Sequence, residues 1–465
     1  MALDARAMPN DAAAPAPKAA NPLLARPILP TLLRLTLPNL AAMLVTALVA
    51  ISETAYVGIL GTTQLAAIAL VFPMVMLMQM MSAGAMGGGV SSAISRALGA
   101  GDEARAEALA LHAIVIGAVA GSAFSLLFFV FGPATFQALG GRGAVLDHAI
   151  TYASVALVGV VPIWLLNTLA SIARGSGNMR VPSLTQLLAA ALQIGLGGAL
   201  GLGIGPIPRF GLAGVATGLV IGFAAGSLFL LWFLHSGRAR VRLRFRGIGL
   251  SREMFFVILK VGTLAAYSPL QMVLTVLVLT ALVARFGTEA LAGYGIGARL
   301  EFLLVPIVFA VGVASVPMVG MAIGAHDIAR ARRVAWTAAG LATLVLGGLG
   351  LTVAAFPDVW SARFTQDAGV RAAADLYLRL AGPGFAFLGL GMALYFASQG
   401  SGKVLGPVLA STLRLAVIAI GGWFLAASAA PLWTLFALVA VSMLAYGLTT
   451  AAAVYVTPWG RDPGR

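Results

Sequence analysis

The nine residues LGAGDEARA, at 98 to 106, return as IGAHDIARA at 323 to 331, an offset of 225. LGTTQLA at 60 to 66 returns as FGTEALA at 286 to 292, offset 226, and RGSGNMRVP at 174 to 182 returns as QGSGKVLGP at 399 to 407, offset 225. Tyr152 pairs with Tyr377 at the same spacing. Polar punctuation carries this comparison, because apolar segments match one another too easily. Agreement of three motifs at offsets of 225 or 226 marks a duplicated chain. Within each first motif a Gly ends one helix and the following Asp caps the next.

Between these motifs lie long apolar runs. The chain of 465 residues is 60% hydrophobic and 9% charged, with a mean hydropathy of +0.99, where a soluble domain is about a quarter charged. A run of about 20 apolar residues crosses the hydrocarbon core as a helix. Apolar runs bounded by Gly, Pro and charge predict twelve spans at about 32–58, 66–96, 107–132, 148–173, 181–204, 210–235, 253–285, 298–323, 333–356, 372–398, 404–427 and 430–457. The fold class is therefore an all-α integral membrane protein of two pseudo-symmetric six-helix lobes. Six is even, so each half enters and leaves on the same side, and the halves are related by a pseudo-two-fold axis along the membrane normal. Two such bundles enclose a cleft that opens to either side by rocking, which is the architecture of a transporter.

The expected organisation is a flexible cytoplasmic segment 1–30, an N-lobe 31–236, a basic cytoplasmic linker 237–252, a C-lobe 253–458 and a cytoplasmic tail 459–465. The first segment, with AAAPAPKAANP, lacks the apolar core of a cleavable signal peptide. With the N-terminus inside, 21 of the 29 Lys and Arg lie on the inner side, seven lie on the outer side, and Arg414 lies within a span. The positive-inside rule gives an N-in, C-in orientation in the cytoplasmic (inner) membrane.

The net charge of +14 does not indicate nucleic acid. Its densest segment, RARVRLRFR from Arg238 to Arg246, reads as a juxtamembrane linker that sets topology and touches anionic lipid. The absence of cysteine and the scatter of four histidines argue against a thiolate, zinc or haem site, so no cofactor is expected beyond a coupling ion. RGSGNMRVP lacks the GK[ST] ending of a phosphate loop and follows a membrane helix rather than a strand.

One acid, Glu53 in ISETAYVG (51 to 58), sits inside span one, fifteen residues after Pro38. A charge at membrane depth costs about 2.5–3.5 kcal/mol on insertion scales, so it usually faces a cavity or partner and marks function. Its repeat partner is the apolar Leu279. Pro38 removes a backbone hydrogen bond and bends its helix, so protonation of Glu53 has a two-state element to bias.

At this point the chain resembles the MATE multidrug and toxin extrusion transporters over about residues 30 to 457. The resemblance rests on Pro38, on Glu53 with Thr54, Val57 and Gly58, on the loop with Gly61, Leu65, Ala66 and Ala67, and on residues 98 to 106 and 174 to 182. It implies two six-helix lobes in a V and export of bulky, often cationic or amphipathic compounds in exchange for Na⁺ or H⁺. In the DinF-like branch the span-one acid works with an Asn and an Asp four residues apart in span five and a Thr in span six. Those positions fall here on Gln193, Gly197 and Thr217. Loss of the Asp at 197 weakens the case for a Na⁺ cage and favours H⁺. Where the NorM-like branch has acids in spans seven and ten, this chain has Met272 beside Gln271, and Leu388. Coupling is therefore expected in the first lobe.

For a substrate cleft the candidates are Gln79, Asn167, Gln271 and Met78, the last on a helical stripe with Met74 and Met81. Methionine suits promiscuous surfaces; polar groups in spans equally serve as interhelical glue. Glu301, with Arg299 two residues before it, reads either as a local charge pair or as a substrate contact. The expected function is antiport of small organic compounds by a monomer in the bilayer. Rivals are a lipid-linked or polysaccharide flippase of the same superfamily, which often has fourteen spans and a more cationic cavity, and a membrane-embedded lipid-modifying enzyme, whose clustered acids or metal ligands are not found.

Overall fold

A computed structural model describes residues 22–245, 247, 249–428 and 430–460. Most of the predicted N-terminal segment and tail, and Arg246 and Ile248 of the linker, lie outside the described residues. No strand occurs among the described residues. Twelve helices are long and apolar enough to cross a membrane: α1 Ile28–Leu60, α2 Thr62–Gly99, α3 Glu103–Ala138, α4 Gly143–Gly175, α5 Arg180–Leu202, α6 Gly211–His235, α7 Arg252–Ala284, α8 Thr288–Gly324, α9 Ile328–Ala355, α10 Ala368–Ser401, α11 Leu405–Ala427 and α12 Leu432–Val456. Only helices with internally paired backbones are tolerated against lipid, and prolines survive within them where neighbours re-satisfy the freed groups. Pro38, Pro73, Pro133, Pro162, Pro269, Pro306 and Pro317 all lie inside helices.

Most helices begin a few residues before the apolar runs do. The largest gap is at α8, expected from 298 and observed from Thr288. Its start is set by the turn at Gly287, whose φ of 100° is open to glycine, and not by hydropathy.

The duplication is visible in backbone geometry. Asp102 caps α3 by accepting from the Arg105 N–H at 2.8 Å, and Asp327 caps α9 by accepting from the Arg330 N–H at 2.8 Å. The residue before each cap has left-handed backbone: Gly101 at φ 78° and His326 at φ 61°. His326 therefore holds a conformation that side chains rarely adopt, because the repeated turn demands it.

Within the first six helices the tightest seam joins α5 and α6. Gly214, Gly218, Gly222 and Gly226 recur every fourth residue on α6 and form one small-residue face. A β-carbon on Gly218 would collide with the Cα and N of Gly197, and one on Gly222 would meet the Ala189 carbonyl. Backbone approaches backbone here because neither helix carries a side chain at the crossing.

Both ends of the described chain lie on one side of the bundle. The Arg330 guanidinium donates to the Leu23 and Arg26 carbonyls, and that of Arg332 donates to the Tyr455 and Thr457 carbonyls at 3.2 and 3.0 Å. On that side the two halves meet closely. A β-carbon on Gly99 would strike the Met321 backbone, and one on Gly324 the Arg96 carbonyl.

Gly218→Val is expected to destabilise the protein by at least about 1–3 kcal/mol through overpacking, whereas Gly340→Ala, with open space at its β-carbon, should be neutral or slightly stabilising. Thermal unfolding of the two variants in detergent checks this; equal melting temperatures would refute the close-packed seam.

Candidate coupling and binding sites

Glu53 is half-buried on α1, and its Oε1 accepts a hydrogen bond of 2.7 Å from the Gln193 amide Nε2 on α5. Gln193 is buried, 6% exposed, at a junction of three helices. The α6 glycines bring it there: a β-carbon at Gly222 would lie 3.3 Å from the Gln193 Cβ. One turn further along α1, the Tyr56 ring lies over Gly198, whose β-carbon would meet it at 2.9 Å. Absent side chains on α5 and α6 thus create the space in which the acid and amide meet.

The other first-lobe candidates separate. The Thr217 hydroxyl donates to the Ala213 carbonyl of its own helix at 2.7 Å and takes no part in the Glu53 contact. Gly197 turns toward α6, its α-carbon against Gly218, and contributes no ligand. Pro38 lies within a continuous α1; beside it the buried Asn39 accepts from the Ser183 hydroxyl of α5 at 3.5 Å. Gln79 and Asn167 tie α2 to α4: the Asn167 amide donates to Gln79 Oε1 at 3.4 Å and to the Ser82 hydroxyl at 2.8 Å. Met74 and Met78 line a wholly apolar first-lobe cleft, with about 400 Å³ of empty space including solvent at its mouth, together with Phe128, Phe136 and Leu219, and Glu53 is not among its walls.

A larger cleft, with about 710 Å³ of empty space including solvent at its mouth, belongs mainly to the second half. Gln271, Met272, Leu388, Tyr395, Arg414 and Tyr446 line it, together with Met80 and Gly84 of α2. Gln271 is both a wall residue and a tie, since its amide donates to the Thr412 hydroxyl at 2.6 Å. Two walls carry π-helical turns, Met80–Met86 in α2 and Val417–Gly421 just after Arg414 in α11. Such turns occur frequently at functional sites.

The expected alternative of an Arg299–Glu301 pair is corrected. Residues two apart do not share a helical face. Arg299 sits over the Phe364 ring, 5.8 Å from its centroid. Glu301 instead accepts from Arg414 Nη2 at 3.0 Å, with both side chains largely buried, and from the Tyr377 hydroxyl at 3.1 Å. The sequence places Arg414 within a span and Glu301 near the outer start of another, without joining them.

At the end where the halves meet, the Ser92 hydroxyl of α2 donates to the Gln399 carbonyl of α10, and the Arg96 guanidinium reaches the Ser92 hydroxyl and the Gly400 carbonyl. Arg105 pairs with Glu253 at 2.6 Å, and His112 Nε2 accepts from the Ser251 N–H at 2.8 Å. These contacts close the bundle on the side of its termini.

A family model described as MatE matches this chain twice, at residues 38–197 and 265–425. The two matches repeat the duplication read from the motifs. The chain is 28% identical over 277 residues to a protein of Shewanella oneidensis named FAD transporter, an alignment spanning 59% of this chain and 60% of that relative's length. It is 23% identical over 362 residues to the probable multidrug resistance protein YoeA of Bacillus subtilis, spanning 77% of each. Among solved structures it superposes with a TM-score of 0.85 and 23% identity on a MOP superfamily transporter from Pyrococcus furiosus, covering 95% of this chain and 99% of that one.

The chain has no cysteine, so closure is testable by cross-linking. A β-carbon at Gly320 would lie 3.0 Å from that of Ser95, close to the roughly 3.5–4.5 Å of a disulfide. The Ser95→Cys, Gly320→Cys pair should oxidise to a bridged form in native membranes, read as a mobility change after proteolysis in the linker. Absence of bridging under oxidant, with both thiols reactive after unfolding, would refute close approach of α2 and α8.

Proposed function

We propose, from the premise that the chain belongs to the MatE family, that it is a secondary active antiporter exporting bulky organic, cationic or amphipathic compounds, with Glu53 as its coupling carboxylate. The multidrug resistance name of the Bacillus relative supports this reading, as do twelve spans in two repeated halves. The single observation that carries the role of Glu53 is its 2.7 Å contact with Gln193, which joins α1 to α5 inside the first lobe.

The chemistry of that pair suits a proton. An ionised Glu53 accepts from the Gln193 N–H, whereas a protonated Glu53 has an O–H to donate, for which the amide offers its carbonyl after a half-turn. Each protonation state therefore has its own hydrogen-bonded arrangement between the two helices. Pro38 lies below the contact on α1, where the missing backbone bond makes bending cheap, so a changed tie at Glu53 is converted into a changed helix shape. We read this as a hinge with two states biased by one proton.

Sodium is the weaker candidate. Oxygen ligands are needed on several sides of the ion, and Gly197 supplies none, while the Thr217 hydroxyl is bonded to Ala213. Glu53 with a span-five amide, and apolar residues at Met272 and Leu388, support a reading nearer the DinF-like branch. The lysine and arginine distribution supports an N-in, C-in orientation; on that reading the end closed by Ser92 and Arg96 is the cytoplasmic end, and the arrangement is outward-open.

In proteoliposomes, Glu53→Gln should reduce proton-driven export of a cationic dye to background while leaving the protein folded. Gln193→Leu should lower the rate about tenfold, the worth of one charge-assisted hydrogen bond. Thr217→Val should change it by less than about threefold, as for a site outside the network. Export by Glu53→Gln that still follows an imposed pH gradient would sink the assignment, and export driven by a Na⁺ gradient alone would replace the proton.

A further inference from the structure

The two halves of the duplicated scaffold carry opposite charges at depth. The first presents the Glu53 carboxylate. The second presents Arg414 on the wall of the larger cleft, and among the described residues lining that cleft it is the only charged side chain. A guanidinium within a membrane span is costly and by default marks a functional site with a partner. Its partner here is Glu301, and the manner of pairing is informative. Glu301 engages only Nη2 of Arg414, through Oε1 at 3.0 Å, while its Oε2 accepts from Tyr377 at 3.1 Å. The Nε–H of Arg414 is buried and has no hydrogen-bond partner. A guanidinium offers a fork of parallel donors matched to planar or tetrahedral oxyanions, and one carboxylate oxygen on one nitrogen leaves that fork incompletely used.

The surroundings define what would complete it. Phe309, Phe396, Tyr395 and Tyr446 line the same cleft. Phe309 and Phe396 meet edge to face at 5.1 Å, and the Tyr395 hydroxyl is fixed by the Ala265 carbonyl at 2.9 Å. The Gln271 Oε1 and Ser268 hydroxyl are buried and unpartnered as well. An aromatic wall beside one arginine fits a flat apolar body bearing an acidic group. A cation would find no carboxylate lining the cleft and would face Arg414.

We propose that the second-lobe cleft is a recognition site for the acidic group of an amphipathic aromatic compound, a carboxylate, sulfonate or phosphate held by Arg414, with Glu301 as the displaceable counter-ion. Glu301 keeps the guanidinium paired when the cleft is empty and remains bonded to Tyr377 when a substrate anion takes its place. Tyr377 of α10, Tyr294 of α8, whose ring packs against that of Tyr377 at 5.4 Å, and Tyr446 of α12 are the other titratable groups around the pair. At this cleft the inference keeps the amphipathic part of the exporter reading and replaces its cationic part with an acidic one, and it rests on that reading only for transport, since binding is measured alone.

A matched pair of probes tests it: pyrenesulfonate and pyrenylmethyl-trimethylammonium, which share an apolar body and differ in the sign of charge. Binding to the purified full-length protein in detergent is followed by fluorescence anisotropy, with thermal unfolding confirming that each variant is folded. Pyrenesulfonate should bind roughly tenfold or more weakly to the neutral double variant Glu301→Gln, Arg414→Gln, which retains two side chains able to hydrogen-bond each other. It should bind several-fold more tightly to Glu301→Gln alone, where the guanidinium has lost its competitor. Opposite signs are the discriminating result: a pair that merely ties α8 to α11 weakens binding in both variants or in neither, and that outcome, or a preference of the cleft for the ammonium probe, overturns the proposal. Binding with these signs but no proton-driven movement of either probe in proteoliposomes would leave the site standing and remove the exporter reading instead.

Discussion

A charge inside a hydrocarbon-spanning bundle must be given a partner, and the placement of two such charges organises this molecule. The penalty at a helix centre is about 2.5–3.5 kcal/mol by insertion scales, a large share of what holds a membrane domain together. Glu53 is accommodated by one amide N–H, and Arg414 by a carboxylate that is itself held by a tyrosine. Neither arrangement satisfies every donor and acceptor. Such sites are poor at adding stability and suited to exchange, because a proton or an anion can enter without dismantling a saturated network.

Helix packing decides whether these partners can meet. Between helices in lipid there is little hydrophobic force, and association depends on close backbone approach and interhelical hydrogen bonds. The α6 glycines at 214, 218 and 222 supply that approach to α5, and Gln193 is carried to Glu53 as a consequence. On the side of the termini the same device operates between the halves, at Gly99 and Gly324, with the Ser92 hydroxyl and Arg96 guanidinium adding polar contacts across the seam. A seam made of backbone contacts and a few polar groups separates more readily than one of interlocked large side chains, as a rocking mechanism needs.

Much of this was legible in the sequence, and the reasons differ by feature. The spans follow from hydropathy and the duplication from polar motifs at nearly the same offset, because turns such as Gly101 and His326 are constrained by backbone geometry and keep their spacing. The proximity of Gln193 to Glu53 came from alignment to a resembling family, since 140 residues separate them and no local pattern joins them. Arg414 was visible as an in-span charge and Glu301 as an acid at the outer start of a span, but the pairing was not, because they lie 113 positions apart and a helix crossing brings them together. The signal available was only that an in-span arginine needs an acid, and because Glu253, Glu301 and Asp375 all fall at the edges of predicted spans in the same half, counting alone did not single out Glu301. That Gln79 and Asn167 tie helices was also unreadable from type alone; the 2.8 Å bond from Asn167 to Ser82 shows such a tie between α2 and α4.

Duplication usually implies that equivalent positions do equivalent work, and here they do not. The partner of Glu53 under the repeat is Leu279, 4% exposed in the apolar core, so the second half has no acid where the first has one. Conversely Arg414 has Ala189 as its first-half counterpart at offset 225, and that alanine is buried against the glycine face of α6. At each of these two equivalent positions one half carries an ionisable group where the other has an apolar side chain. On the proposed reading, this asymmetric charge pattern on a symmetric scaffold would separate two tasks that otherwise compete for one cavity: proton uptake needs a site that tolerates a change of charge, and substrate recognition needs one whose charge stays fixed. An arginine, which does not deprotonate in proteins, meets the second requirement as a glutamate meets the first.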